Sequence, residues 1–286
     1  MAKRTVAKVP SKSTQDALKK SEGVVGNVYQ ELRAGVATAP VIYTDDTSWR
    51  IRGQAAQLMA FDTDQATVFQ IRDQHRNEEV RELIPADYAG VMVTDRGKSY
   101  EAEELSEVAQ QKCLAHLQRN IAEVLEVKKG RSRSFGLKLK TLLKQGHQLW
   151  RDQRAGKAIH FQVRAQRIDK KLTRHLRDRV LKDEDNQRLL DGVGLQHDQG
   201  RIFQFLKNPL IEPTNNRAER ALRPAVIARK LSHGSKNDRG AEAFAAFTSV
   251  IQTAVKKRAS STIDVLHVLF RSKPQTPTTK AHAPPT

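Results

Sequence analysis

One cysteine, two tryptophans and 5% aromatic residues are all that a chain of 286 contains of these types. The lone Cys113 excludes an internal disulfide, and with it any zinc site of the cysteine-rich kind built within the chain. No apolar run approaches the roughly 20 residues needed to span a bilayer. No basic helix rich in tryptophan and phenylalanine points to a membrane surface either. The N-terminal MAKRTVAKVPSKSTQD is basic but lacks the apolar stretch of a signal peptide, so a cytoplasmic, nucleoid-associated protein with no membrane partner is expected. Acids are scarce beside bases, 32 against 50, which leaves a net charge of +18. That balance calls for a polyanionic partner, and nucleic-acid phosphates are the polyanion that best fits it.

Hydrophobic residues make up 38% of the chain, enough for a core, and the length suits one large domain with an insertion or two smaller domains. The charge is unevenly spread. From Lys128 to Lys182 there are 18 lysines and arginines against three acids, Asp152, Asp169 and Asp178. Apolar residues recur through this stretch at steps of three and four, as in Leu139, Leu142, Leu143, Leu149 and Leu172, Leu176. That period predicts folded helices with basic faces rather than a disordered tail.

The hydrophobic period changes along the chain. Residues 1–12 read as disordered and 13–36 as a helix. Val41–Thr44, Trp49–Arg52, Gln57–Phe61 and Thr67–Ile71 read as short strands with close links, an antiparallel meander. Residues 76–84 read as a helix ending at Pro85, and Val91–Thr94 as a buried strand. Helices are expected from about Glu101 and over Lys112–Val127. Asp183-Glu184-Asp185 and the glycines at 192, 194 and 200 predict a loop-rich return. A short helix at Ile202–Leu206, a helix opening at Arg217 and a last helix from Gly240 to Lys257 follow. The tail after Arg271 has four prolines and reads as disordered.

Two of the apolar strands, Val41–Thr44 and Val91–Thr94, stop at an aspartate, Asp45 and Asp95. A carboxylate at a strand end is held by the core yet open to solvent. Two of them side by side repel unless a cation lies between them. Mg²⁺ takes such hard oxygens and keeps water and phosphate as its other ligands. A bland reading competes with this one, because strand-end aspartates often only form turns. Glu219 has its own: Asn216-Arg217-Ala218-Glu219 fits a helix N-cap followed by Glu at the third helical position.

Longer motifs add to these residues. Thr214-Asn215-Asn216-Arg217-Ala218-Glu219-Arg220-Ala221-Leu222-Arg223-Pro224, then Val226–Lys230 and Ser232-His233-Gly234-Ser235, resembles the signature of the insertion sequence 66 family of transposases. Asp45-Asp46-Thr47-Ser48-Trp49-Arg50, Thr94-Asp95-Arg96-Gly97 with Tyr100, and Cys113-Leu114-Ala115-His116-Leu117-Gln118-Arg119 resemble its upstream segments. The resemblance spans about residues 20–258, in the family's order.

The resemblance implies an α/β, ribonuclease-H-like mixed sheet flanked by helices and interrupted by an all-helical basic insertion. It divides the chain into a basic arm and helix (1–40), a catalytic domain (41–127 and 201–258), the insertion (128–200) and a C-terminal segment with a disordered tail (259–286). It implies a catalytic, metal-holding triad of Asp45, Asp95 and Glu219, with two Mg²⁺ ions or Mn²⁺, and strand cleavage and transfer at the ends of a mobile element. Asp46, in the place of a family glutamate, is the second candidate for the first position. Arg220, Arg223, Arg229, Lys230, Asn215 and Asn216 are the candidate DNA contacts. Arg223 could instead pair with Glu219, four positions away, and Asn215 or Asn216 could instead cap the helix. Joining two ends implies a homodimer or higher oligomer, with element-encoded helper proteins as further partners. The family's upstream metal-binding motif and helix-turn-helix have no counterpart here, so a catalytically inactive or domesticated DNA-binding remnant is the alternative. Cys113 and His116 read as packing and a local hydrogen bond, or as neighbours of the active site. Trp49 reads as core, and His147, His160 and His175 as surface residues.

Overall fold

The computed structural model describes residues 12–177 and 180–257, with side chains described from residue 23 onward. Of the residues 1–12 expected to be disordered, Lys12 opens a helix and 1–11 lie outside the described residues, as do the tail after Arg271 and the segment 259–286. Five strands form one mixed sheet. β1 (Val41–Ile51), β2 (Gln54–Asp62) and β3 (Thr67–Arg72) make the antiparallel meander that the sequence predicts. The link between β1 and β2 is Arg52-Gly53, both at positive φ (54° and 81°), a turn whose twist matches that of paired antiparallel strands. β4 (Val91–Thr94) lies parallel to β1 on its other side, and β5 (Ala109–Lys112) parallel to β4, in the order β3-β2-β1-β4-β5.

Two expectations are corrected here. β1 does not stop at Asp45 and restart at Trp49. It runs through, because every residue of the polar stretch has a partner on β2, Asp45 opposite Ala60 and Asp46 opposite Met59. What ends beside Asp45 is the parallel ladder to β4, whose last register pair is Tyr43 with Val93. The second correction concerns the helix expected from Glu101 and the helix start at Lys112. Two 3-10 turns (Lys98–Tyr100 and Glu103–Leu105) occupy this stretch, followed by β5. β5 reads Ala-Gln-Gln-Lys and has no apolar alternation to betray it. Its polar side chains are nevertheless buried, because each is satisfied. Gln110 Nε2 donates to Tyr100 O (2.9 Å), Gln111 Nε2 to Ile202 O (2.9 Å), and Lys112 Nζ lies 2.6 Å from Glu101 Oε1.

Among the described residues the helices are α1 (Lys12–Ala37), α2 (Asn77–Arg81), α3 (Leu114–Val127), α4 (Ser134–Arg154), α5 (Phe161–Leu176), α6 (Glu184–Asp198), α7 (Gln204–Lys207), α8 (Asn216–Ser232) and α9 (Asp238–Lys256). α6 replaces the expected loop-rich return. Asp183 caps it, accepting from Asn186 N–H at 3.0 Å, and Glu184 and Asp185 fill its first turn, where free backbone N–H groups favour carboxylates.

Strand alternation sends side chains to two faces. On one, Ile42, Met59, Phe61 and Met92 pack with Val36 of α1, Val80 of α2 and Tyr100. The other face is shared. Trp49, Ile51, Leu58 and Phe69 lie under Leu222 and Ala225 of α8 and Ala241 and Ala245 of α9. Tyr43 and Val93 join the core of α3 to α7. α9 also closes the sheet edge. Ser249 Oγ accepts from Phe69 N–H (2.8 Å) and Thr253 Oγ1 from Thr67 N–H (3.0 Å), while Tyr29 of α1 donates to Phe69 O (2.6 Å). The outward backbone groups of Thr67 and Phe69 on this edge strand are thereby occupied rather than open to another strand. Among the described residues no helix is long and apolar enough to cross a membrane.

Candidate active site

Alternation along β1 decides which aspartate faces which layer. Tyr43 and Trp49 belong to the α3–α9 side, so Asp45, two positions after Tyr43, belongs there too. On β4, Val93 points the same way and Asp95 follows it by two. The two carboxylates therefore flank the point where β1 and β4 part. Glu219 stands in the first turn of α8, a helix that packs against β1, and its charge acts on Asp45. All three are half-buried. The carboxyl of Asp45 is pushed up to about 7, by burial first, then by the charges of Asp46, Asp95 and Glu219, against a lowering backbone hydrogen bond at Asp46. Charges from residues 45, 95 and 219 are thus felt at one locus. Asp95 is held by Gly97, whose N–H donates to Oδ1 at 2.8 Å. Asp46 points away, to a layer that sequence reasoning did not foresee. Its Oδ1 lies 3.1 Å from His75 Nδ1, His75 Nε2 lies 3.2 Å from Ser99 Oγ, and the ring meets Tyr100 edge-on.

The donor set suits a hard divalent cation. It offers carboxylate oxygens whose mutual charge a cation would offset. It also contains the buried Oδ1 of Asn215, which has no hydrogen-bond partner although its Nδ2 is bound to Thr44 O. Among the described residues no three His, Cys, Asp or Glu side chains lie close enough to enclose one ion. Mg²⁺ needs no such cage, since one or two carboxylates with phosphate and water commonly hold it.

A set of contacts delivers α8 to this place. Asn215 is fully buried, donates Nδ2–H to Thr44 O at 2.7 Å and its backbone N–H to Cys113 Sγ at 3.2 Å. It is the N-cap residue, but its side chain makes no capping bond, and no capping box joins Asn216 to Glu219. Both the capping and the DNA-contact expectations for Asn215 give way to a tie between α8, α3 and β1. Arg217 reaches Asp62 (3.1 Å), Asp64 (2.6 Å) and the Tyr43 ring (4.5 Å), and Lys256 of α9 bonds the same Asp62. At the far end of α8, Ser235 exchanges backbone bonds with β1, its N–H to Arg50 O (2.8 Å) and its O from Arg52 N–H (3.0 Å), while Trp49 Nε1 donates to Ser235 Oγ (3.1 Å). Gly234 is required there. Its φ is +124°, and a Cβ would lie 2.3 Å from Arg50 O.

The remaining candidates sort by exposure. Arg220, Arg223, Lys230 and Asn216 are exposed at the surface of α8, and no ion pair joins Arg223 to Glu219 among the described residues. Arg229 also has a role within the protein: its Nη1 bonds Thr47 Oγ1 (3.0 Å) and the hydroxyl (2.6 Å) and carbonyl of Ser48, which joins α8 to β1. Cys113 is buried and its thiol is pushed up by burial, which fits an acceptor for Asn215 rather than a metal ligand. His175 is also corrected. It is buried, stacked on Phe135 at 4.7 Å with Nε2 3.1 Å from Phe135 O. His160 is exposed and His147 half-buried.

One residue near the locus had no sequence signal at all. Lys112, with no exposed surface, sits 2.6 Å from Glu101 and donates to Gln110 Oε1 (2.8 Å) and Thr94 Oγ1 (3.2 Å), next to Asp95. Burial lowers it to about 8 against the opposing pull of Glu101. Glu101 is held below its ordinary range: burial raises it, but Lys112, Gln196 and Arg201 more than offset that.

The family model described as "Transposase IS66 family" matches residues 1–243. Comparison with curated proteins finds no match.

Proposed function

This chain belongs to the IS66 family of transposases, and we propose that it is a metal-dependent DNA transposase of ribonuclease-H-like fold, with Asp45, Asp95 and Glu219 as its catalytic carboxylates. The observation that supports this reading is that Asp95 and Glu219, far from Asp45 in sequence, both act on its half-buried carboxyl through their charge. The sheet order, with an antiparallel β1–β3 meander extended by two parallel strands, supports the fold.

Two divalent ions, Mg²⁺ or Mn²⁺, would supply the charge that activates a nucleophile and stabilises the leaving oxygen in a phosphodiester displacement. The chain's own part is placement. Asp45 and Asp95 are fixed by the sheet on either side of the β1/β4 fork, and Glu219 is fixed by the contacts that seat α8. Arg223, one turn beyond Glu219 on the same helix face, and Arg220 and Lys230 are positioned to bind backbone phosphates of the DNA. Water attack on the element end, then attack of the freed 3′-hydroxyl on target DNA, needs no covalent protein–DNA link and so no serine or tyrosine nucleophile. Joining two ends requires at least two copies of the chain.

The test is nicking of a labelled duplex carrying the DNA that flanks this chain's own coding sequence, with Mg²⁺ or Mn²⁺. Wild type is expected to leave a 3′-hydroxyl. Asp95→Ala and Glu219→Gln are expected to abolish nicking while still binding the duplex. Equal nicking by wild type and both variants would overturn the triad. Tight binding with no nicking by wild type would point to a DNA-binding remnant.

A further inference from the structure

The helices between α3 and α7 carry charge that the carboxylate locus does not use. Along α4 and α5 there are ten lysines and arginines and two acids, Asp152 and Asp169. Elsewhere in the chain many cations sit against carboxylates, as Arg217 and Lys256 do with Asp62 and Arg72 does with Glu82. On α4 and α5 the pattern differs. Lys140, Lys144, Arg151 and Arg154 have no ion pair among the described residues, and neither do Arg167, Lys171 and Arg174.

Their spacing orders them. Lys140, Lys144, His147, Arg151 and Arg154 follow one another at steps of four, three, four and three, which keeps them on one side of a 3.6-residue helix. The line runs about 21 Å at 1.5 Å per residue, close to the axial length of about six base pairs at 3.4 Å each. It lies beside the buried ridge of Leu139, Leu142, Leu143 and Leu149. No carboxylate of α4 shares it: Asp152, bonded to Gln148, lies off the line toward Arg164. On α5, Arg167, Lys171 and Arg174 also step by four and three, while Ala165, Ile168, Leu172 and Leu176 face the core. Like charges held in file on rigid helices repel one another, and a polyanion relieves that repulsion.

We propose that these two cationic lines form a sequence-independent binding surface for the phosphate backbone of duplex DNA, distinct from the carboxylate locus. The choice of DNA as occupant rests on the transposase reading; the surface itself does not depend on the triad. It anchors DNA by counterion release, and the exposed cations of α8 act only locally at the reacting phosphate.

The experiment is a salt titration of binding to a random-sequence DNA duplex, with the full chain and EDTA so that no cleavage occurs. The variants are Lys140→Gln/Lys144→Gln/Arg151→Gln/Arg154→Gln on α4 and Arg167→Gln/Lys171→Gln/Arg174→Gln on α5. Glutamine is a good helix former at exposed positions, and matching Tm values check that each variant folds. The slope of log K against log salt should shrink by about 0.9 for each phosphate that is no longer neutralised, roughly 3.6 for the first variant and 2.7 for the second. Glu219→Gln should keep the wild-type slope. Unchanged slopes in both folded variants overturn the proposal, as does an equal loss of slope in Glu219→Gln. If wild type never nicks DNA but the helix variants still lose slope, the catalytic reading fails and this surface stands. Preference for duplex RNA over DNA would overturn the choice of occupant.

Discussion

At Asp45 a carboxylate is kept half-buried under the charges of Asp46, Asp95 and Glu219, and its raised value records that cost, burial first. Removing the charge while keeping the shape should help the metal-free protein. Asp45→Asn is expected to raise Tm in EDTA, by the equivalent of on the order of 1–3 kcal/mol. Wild type should gain stability from Mg²⁺ or Mn²⁺, about 2.7 kcal/mol at a hundred times the dissociation constant, and Asp45→Asn should not. Differential scanning fluorimetry with and without metal reads both effects. Lys112 gives a separate pH signature. Its folded value of about 8 lies below the ordinary 10.5, so within that window the unfolded chain binds more protons and stability rises with pH. The contribution should amount to on the order of 1–3 kcal/mol. Urea unfolding across the window should show the rise in wild type and its absence in Lys112→Met; parallel curves would mean that Lys112 stays charged when folded.

Among elements, the edge strand β3 depends on hydroxyls of α9. Ser249 is buried, and its hydroxyl is the partner of Phe69 N–H. Ser249→Ala should therefore cost about 1–3 kcal/mol, the penalty of a buried donor without an acceptor, measured as a lower urea midpoint with an unchanged slope. Several elements were legible in the sequence for a clear reason. β1–β3 alternate and have tight links, and α1, α3 and α9 keep a helical period. β5 and α6 were not legible, because their signals were ambiguous. Gln110, Gln111 and Lys112 resemble a solvent-facing segment until Tyr100 O, Ile202 O and Glu101 are brought to them. The acidic run at Asp183 reads equally as a loop or as the start of a helix, and the cap to Asn186 N–H decides it. The Ser232–Ser235 motif was visible as a pattern, but its purpose, docking α8 back onto Arg50 and Arg52, was not.

For the whole molecule, the hydrophobic cluster matters most. Tyr43 and Val93 of the sheet share one core with Leu117 of α3, Leu143 of α4, Leu172 of α5 and Leu190 of α6. The helical region between α3 and α7 is thus packed on the sheet rather than tethered to it. Calorimetry is expected to show one unfolding transition, with calorimetric and van't Hoff enthalpies equal; two transitions would mean that the helices melt apart from the sheet.

The sequence by itself determined the family, the excess of positive charge and the meander, because motif, composition and short-range period are local properties. The tertiary structure decided which neighbour of each pair faces the locus, Asp45 rather than Asp46. It made Asn215 a buried tie to Thr44 and joined Arg229 to Thr47 and Ser48, contacts that seat α8, and it set which cations meet carboxylates and which stand in file along α4 and α5. Those outcomes depend on strand register and on contacts across more than a hundred residues, such as Asn215 with Thr44 and Arg229 with Ser48. No local pattern encodes them, since a side chain's partner is chosen by the packing of layers and not by its neighbours along the chain.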